Sequence, residues 1–191
     1  TGSLSLSDAD LILTGESSGD YSGSAVASGG DVNGDGLDDI LVGATGEDTQ
    51  GSAAGAAYLV LGGASGTVSL SDAQAVLYGD DASDSAGDVV CLPGDTDDDG
   101  FDDLLISATG DDTEGSGAGA VYLLRGPISG ALATTDAQTT LYGAGSGDQL
   151  GALSGAGDFD GDGRQDLLLG SAAHDTGGID AGAIWLVSGT L

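Results

Sequence analysis

The sequence predicts an all-β protein built by repetition, and three observations carry that prediction. The chain superposes on itself with a shift of about 64 residues, a period that indicates a repeat architecture. Each copy holds four apolar runs of about five or six residues bounded by Gly, Asp and Ser clusters, the pattern of short strands and not of helices. The composition, with 38 Gly, 2 Pro and a hydrophobic fraction of 39% in 191 residues, is that of a globular chain and not of a membrane-spanning or collagen-like one.

Taken in order, the first run of each copy reads LILTG, AVLYG and TTLYG, preceded by SDAD, SDAQ and TDAQ. The second reads AVASG, DVVCL and ALSGA. The third, DILVGAT, DLLISAT and DLLLGSA, is almost continuously apolar, as expected of strands buried on both faces. The fourth reads AGAAYLVLGG, AGAVYLLRGP and AGAIWLVSGT, and places Tyr58, Tyr122 and Trp185 at equivalent positions. Those three rings are expected to pack between neighbouring sheets. Four short antiparallel strands per copy, repeated radially, describe the blades of a β-propeller. Residues 1–191 read as a single repeat domain without a linker. The blade units fall at about 17–79, 80–143 and 144–191, with an N-terminal strand over 4–15 completing a blade.

Charge sets the next constraint. Against 32 Asp and Glu stand 2 Lys and Arg, for a formal net charge of −30. Nucleic acid and anionic membrane surfaces would be repelled. Folding concentrates the carboxylates, so the compact state calls for cations. Aromatics make up only 4%, and the core must come from Ala, Val, Leu and Ile, each worth at most ~1.5–3 kcal/mol when buried. Cys91, the one cysteine, forms no intrachain disulfide and reads as a small core residue. No signal-peptide pattern opens the sequence, so Thr1 reads as a processed start or a boundary.

The acids recur in register in the loop before the third run. They are Asp31, Asn33, Asp35 and Asp39; Asp95, Asp97, Asp99 and Asp103; and Asp158, Asp160, Asp162 and Asp166, with Gly36, Gly100 and Gly163 at the sixth position. Oxygen side chains at positions one, three, five and nine around a tight turn suit a hard cation that takes six to eight oxygens at ~2.3–2.6 Å. Position seven would offer a backbone carbonyl, from Leu37, Phe101 and Arg164. So many carboxylates in one flexible loop favour Ca²⁺ over Mg²⁺, and the absence of Cys and His from the loops disfavours Zn²⁺. Position twelve, a bidentate Glu in an EF-hand, is Val42, Ile106 and Leu169 here. Three calcium ions are expected, one per repeat. The first loop, with Asn33 in place of a carboxylate, is expected to bind most weakly.

These residues resemble the FG-GAP repeat of integrin α-subunits and of many secreted bacterial proteins. The FG position is filled by Ser22-Gly23, Ala86-Gly87 and Leu150-Gly151, and the GAP position by Gly43-Ala44-Thr45, Ser107-Ala108-Thr109 and Ser171-Ala172-Ala173. The resemblance implies a propeller, seven-bladed in integrins, with the calcium loops on one face and ligand binding on the other.

The face opposite the calcium loops carries Glu16, Asp20, Glu47, Asp48, Asp80, Asp81, Asp84, Asp111, Asp112, Glu114, Asp148, Asp175 and Asp180. Asp48, Asp112 and Asp175 read as turn residues. His174 reads as a solvent-exposed variant of the Glu47 and Asp111 position, without a nucleophile at a recognisable spacing. Aspartates that recur with the repeat serve the repeat, so no enzyme is expected. The expected function is that of a calcium-binding, secreted or extracellular structural and adhesion module with a protein or glycan ligand. The alternative is a calcium-dependent, lectin-like propeller, which would need Trp185, Tyr58 and Tyr122 exposed. No membrane insertion is expected. The LILTG run aligns with AVLYG and TTLYG, which close the units 17–79 and 80–143, whereas the unit 144–191 ends without that strand. A homodimer by strand exchange would complete the ring with six blades.

Overall fold

The structure, a computed structural model, describes residues 2–3 and 5–189. Thr1, Leu4 and residues 190 and 191 lie outside the described residues, and with them the first residue of the segment expected over 4–15 and the end of the third unit. Within that segment Leu6–Asp8 forms a 3-10 turn, and β1 spans Leu11–Thr14. The first unit contributes β2 (Ser22–Gly30), β3 (Asp39–Ala44), β4 (Ala56–Val60), β5 (Gly66–Ser69) and β6 (Ala75–Tyr78). The second contributes β7 (Ala86–Gly94), β8 (Asp103–Ala108), β9 (Ala120–Leu124), β10 (Gly130–Ala133) and β11 (Thr139–Tyr142). The third contributes β12 (Ala152–Gly157), β13 (Asp166–Ser171) and β14 (Ala183–Val187).

The protein is all-β, with the strand pairings of propeller blades. In the first blade β2, β3, β4 and β6 pair antiparallel in that order, and β7, β8, β9 and β11 repeat the pattern in the second. The third blade holds β12, β13 and β14. A further strand lies outside the four expected ones. β10 leaves the second unit and pairs parallel with β6 on the outer edge of the first blade. β5 pairs parallel with β1 in the equivalent register, Leu11 opposite Gly66 as Ala75 is opposite Gly130. The first and second units thus each send a strand to the edge of the strand that precedes their own blade. Their sequences, GTVS and GALA, are too short and too mildly apolar to read as strands.

Of the runs that read as doubly buried, β8 is buried throughout and β3 at all but Ile40, whereas β13 exposes Leu168. Every residue of β4 and β9 is buried as well. Leu41, Leu59 and Leu77 of the first blade pack against Leu104, Ile106 and Leu124 of the second in one core cluster. Leu105, Val121 and Leu123 meet Leu150, Leu167 and Leu169 in another. Cys91 is half-buried against the latter cluster, and burial pushes its thiol pKa up.

The paired glycines of the motif have a packing cause. A Cβ on Gly43 would sit 2.0 Å from the Gly87 carbonyl oxygen, and one on Gly87 would sit 2.2 Å from that of Ala56. Gly87 also has φ +84°, where L side chains are strained. The FG glycine of the second blade therefore lies against the GAP glycine of the first. In the third unit the strand register puts Gly170-Ser171-Ala172, not residues 171–173, at the GAP position: Gly170 pairs with Ile184 as Gly43 pairs with Ala57.

The outer face of the third blade is open. Ile184 is 74% exposed, and Leu168 and Leu186 are exposed beside it. On the first blade Val26 is likewise exposed, although Leu13 and Val76 pack with Tyr58 and Val60 in a cluster there. Among the described residues no helix is long and apolar enough to cross a membrane.

Candidate metal centres

Each acidic loop joins the first strand of a blade to its second, β2 to β3, β7 to β8 and β12 to β13, so the three loops lie at one end of the blades. The loops are self-wound around their first aspartate. Asp31 accepts the N–H groups of Gly34, Asp35 and Gly36 at 2.7, 3.0 and 2.7 Å. Asp95 does the same for Asp98, Asp99 and Gly100, and Asp158 for Gly161 and Gly163. This is the tight turn that the sixth-position glycines permit, with φ of +87°, +93° and +96° at Gly36, Gly100 and Gly163. The position-five side chains Asp35, Asp99 and Asp162 accept from the N–H groups of Leu37, Phe101 and Arg164, each at 2.9 Å.

The ninth-position aspartates, Asp39, Asp103 and Asp166, are fully buried. One oxygen of each accepts the N–H of the loop's second residue, Val32, Thr96 or Phe159. The other accepts from the end of the last hairpin strand, at Gly62, Gly126 or Gly189. These carboxylates therefore fasten the loop to the blade; Asp103 Oδ2 also accepts from the Thr96 hydroxyl, and Asp166 Oδ2 from the Asp160 N–H. Burial pushes the Asp103 carboxyl up, against the donors of Thr96 and Gly126. For Asp166, in the open third blade, the upward push of burial is outweighed by the N–H groups of Phe159, Gly189 and Asp160, and its pKa lies lower than usual.

Carboxylate oxygens of Asp95, Asp97 and Asp99 lie within 4.8 Å of one another, as do those of Asp158, Asp160 and Asp166. Asp103 and Asp162 stand outside these groups. In the first loop Asn33 takes the third position, where its amide nitrogen donates to Asp35 Oδ2 at 2.9 Å. The donor set is all oxygen, and Asp97 Oδ1 is buried without a hydrogen-bond donor among the described residues. Such a set fits a hard divalent cation.

At the opposite end a second constellation emerges that sequence reasoning listed only as loop acids. Asp20, Asp84 and Asp148 are buried, and so are Glu47 and Asp111. Asp20 caps its own turn by accepting from the Ser17 N–H at 2.8 Å. In the second blade the Tyr122 hydroxyl donates to Asp111 Oδ2 at 2.6 Å. Burial first, and then the Asp111 charge, raise the Asp84 pKa to about 6. In the first blade the Tyr58 hydroxyl turns to Glu16 instead, which leaves Glu47 Oε2 buried without a donor among the described residues. His174 is a correction: it is not solvent-exposed. Its Nδ1 lies 2.9 Å from Asp148 Oδ2 with only 14% of the side chain exposed, and its ring meets Trp185 edge-on at 5.1 Å. The Glu47 and Asp111 positions that it replaces are themselves buried. The repeat itself marked the position: Glu47 and Asp111 are the third residue after β3 and β8, as His174 is after β13, and each is followed two residues on by Thr.

Thr176 Oγ1, His174 and Asp148 form a hydrogen-bonded chain, with Thr176 2.7 Å from Nε2. It has the outline of a nucleophile, a base and an acid. Thr49 and Thr113, however, bond the carboxylates of Glu47 and Asp111 from the same position. The arrangement is a turn device that every blade carries. Tyr58 and Tyr122 are buried, at 1% and 5% exposure, so their rings offer no face for stacking on a sugar.

A family model of the FG-GAP repeat matches residues 22–60, 85–124 and 150–187. Integrin alpha-4 of Xenopus laevis is 33% identical over 165 residues, which is 85% of this chain and 15% of that protein. Integrin alpha-PS2 of Drosophila melanogaster is 31% identical over 173 residues, 85% of this chain and 12% of the relative. Integrin alpha-3 of Cricetulus griseus is 32% identical over 169 residues, 84% of this chain and 15% of the relative. The chain thus spans no more than 15% of the length of these curated relatives.

Proposed function

The chain belongs to the FG-GAP repeat family, and from that premise we propose that it is a calcium-stabilised adhesion module of an extracellular or cell-surface protein. One Ca²⁺ per loop would be held by Asp31, Asn33, Asp35, the Leu37 carbonyl and Asp39; by Asp95, Asp97, Asp99, the Phe101 carbonyl and Asp103; and by Asp158, Asp160, Asp162, the Arg164 carbonyl and Asp166. The carrying observation is the winding of all three loops, in register, around an oxygen-only donor set in a chain of charge −30. Bound calcium would neutralise carboxylates that otherwise repel, and so rigidify that end of the blades. The kinship with integrin α-subunits supports a protein ligand over a glycan, and the buried tyrosines add to that preference. Binding is also favoured over catalysis, because each polar cluster repeats from blade to blade. Thermal melting in calcium and in chelator tests the reading: a large drop in chelator is expected, and an unchanged melt would reject it.

We further propose that a second copy completes the ring. β1 with β5 is the outer half of a blade, built as β6 with β10 is, while β12, β13 and β14 form an inner half. The two halves belong to separate sheets of the chain. Two copies in head-to-tail contact give six blades and leave no open edge. Light scattering should then give about twice 18.2 kDa, and deletion of residues 1–15 should abolish the dimer. A folded monomer that tolerates the deletion would refute the exchange.

A further inference from the structure

The chain holds two basic side chains against 32 acidic ones, and both stand at the acidic loops. Arg164 is the seventh residue of the third loop. Arg125 arrives from elsewhere, directly after β9, at the position that Leu61 and Ser188 take in the other units. Its Nε lies 3.3 Å from Asp97 Oδ2, with both side chains largely buried. Its own N–H donates to Gln138 Oε1 at 2.9 Å, which fixes the strand end from which it reaches. Asp97 is the third residue of the second loop. With Oδ2 facing the guanidinium, the oxygen left for a cation is Oδ1, the atom that is buried without a hydrogen-bond donor among the described residues.

We infer that Arg125 is a resident counter-cation of the second loop: it holds Asp97 in ligating position without metal and lowers that loop's affinity for calcium. The inference rests on the calcium reading above. Two effects oppose each other. Pinning Asp97 favours binding, but it saves the rotamer freedom of only one short side chain. The guanidinium charge opposes the arrival of a divalent ion a few ångströms away. Even at the dielectric constant of water, that repulsion corresponds to roughly a tenfold change in affinity. The repulsion wins. Loop two thereby loses the advantage that its fourth carboxylate would give it over loop one, where Leu61 replaces the arginine.

A calcium titration followed by amide NMR resolves the sites. Gly36, Gly100 and Gly163 each donate to the first aspartate of their own loop, so each amide reports one loop. Arg125→Leu copies the residue of the first unit and is expected to keep the fold. It should shift the Gly100 midpoint roughly tenfold towards lower calcium and leave Gly163 in place. Its metal-free melting temperature should fall, because Asp95, Asp97 and Asp99 lose their counter-charge. Arg125→Lys should behave as the natural chain. A Gly100 midpoint in Arg125→Leu that is unchanged, or moved to higher calcium, overturns the inference while the calcium reading stands. If none of the three amides responds to calcium in any variant, the calcium reading fails and the inference falls with it.

Discussion

The Asp31 N–H donates to Asp102 Oδ2 at 2.8 Å, and the Asp102 N–H returns a bond to the Asp31 carbonyl at 3.1 Å. Asp31 opens the first acidic loop and Asp102 is the eighth residue of the second, so the pair joins neighbouring blades at the ends that carry these loops. Asp102→Ala should weaken calcium binding at the first loop, read from the Gly36 amide, and cost about 1–3 kcal/mol, as expected for a hydrogen bond to a charged group. Two loops that titrate as before in this variant would show that they are independent.

Glycine at the blade interface gives a sharper contrast. Gly87 combines φ +84° with a Cβ site 2.2 Å from a backbone oxygen, whereas its counterpart Gly23 has φ +92° and nothing within 4 Å. Gly23→Ala should cost about 1–2 kcal/mol, the penalty of left-handed backbone alone. Gly87→Ala should cost well over that, about 4 kcal/mol or more, because the blades must separate. Denaturant midpoints measure both, and equal losses would contradict the close approach.

The Asp84–Asp111 pair makes stability depend on pH. Burial and the Asp111 charge raise the Asp84 pKa in the folded state to about 6, above the ~3.9 of an unfolded chain. The stabilisation from its proton is therefore complete below about pH 4 and is lost as pH rises through about 6. Asp84→Asn keeps an acceptor for the turn and removes the charge. Unfolding in excess calcium should show the variant more stable than the natural chain by about 2 kcal/mol at pH 7 to 8. Near pH 4 the two should match. Parallel pH profiles would contradict the pairing.

Much of this architecture was legible because it repeats. The DILVGAT-type runs announced the buried second strand, and the aspartates from Asp31 to Asp166 announced the loops, since three copies in register separate a pattern from chance. What escaped notice was set by neighbours in space. β5 and β10 are strands only because a preceding strand offers an edge to GTVS and GALA. His174 looked exposed because no local signal shows that Asp148, 26 residues away, waits beneath it. Phe159 matches buried Val32 and Thr96 by position, yet is 73% exposed on the open side of the third blade.

Calcium at the three loops would hold the blades together, and calorimetry with the intact chain is the test. Binding to the folded state alone adds roughly 2.7 kcal/mol per site at a hundredfold excess over Kd. A titration should count three ions per chain, and the melting temperature should fall sharply when a chelator removes them. A chain that takes up no calcium, or that melts at the same temperature with and without chelator, would contradict the account.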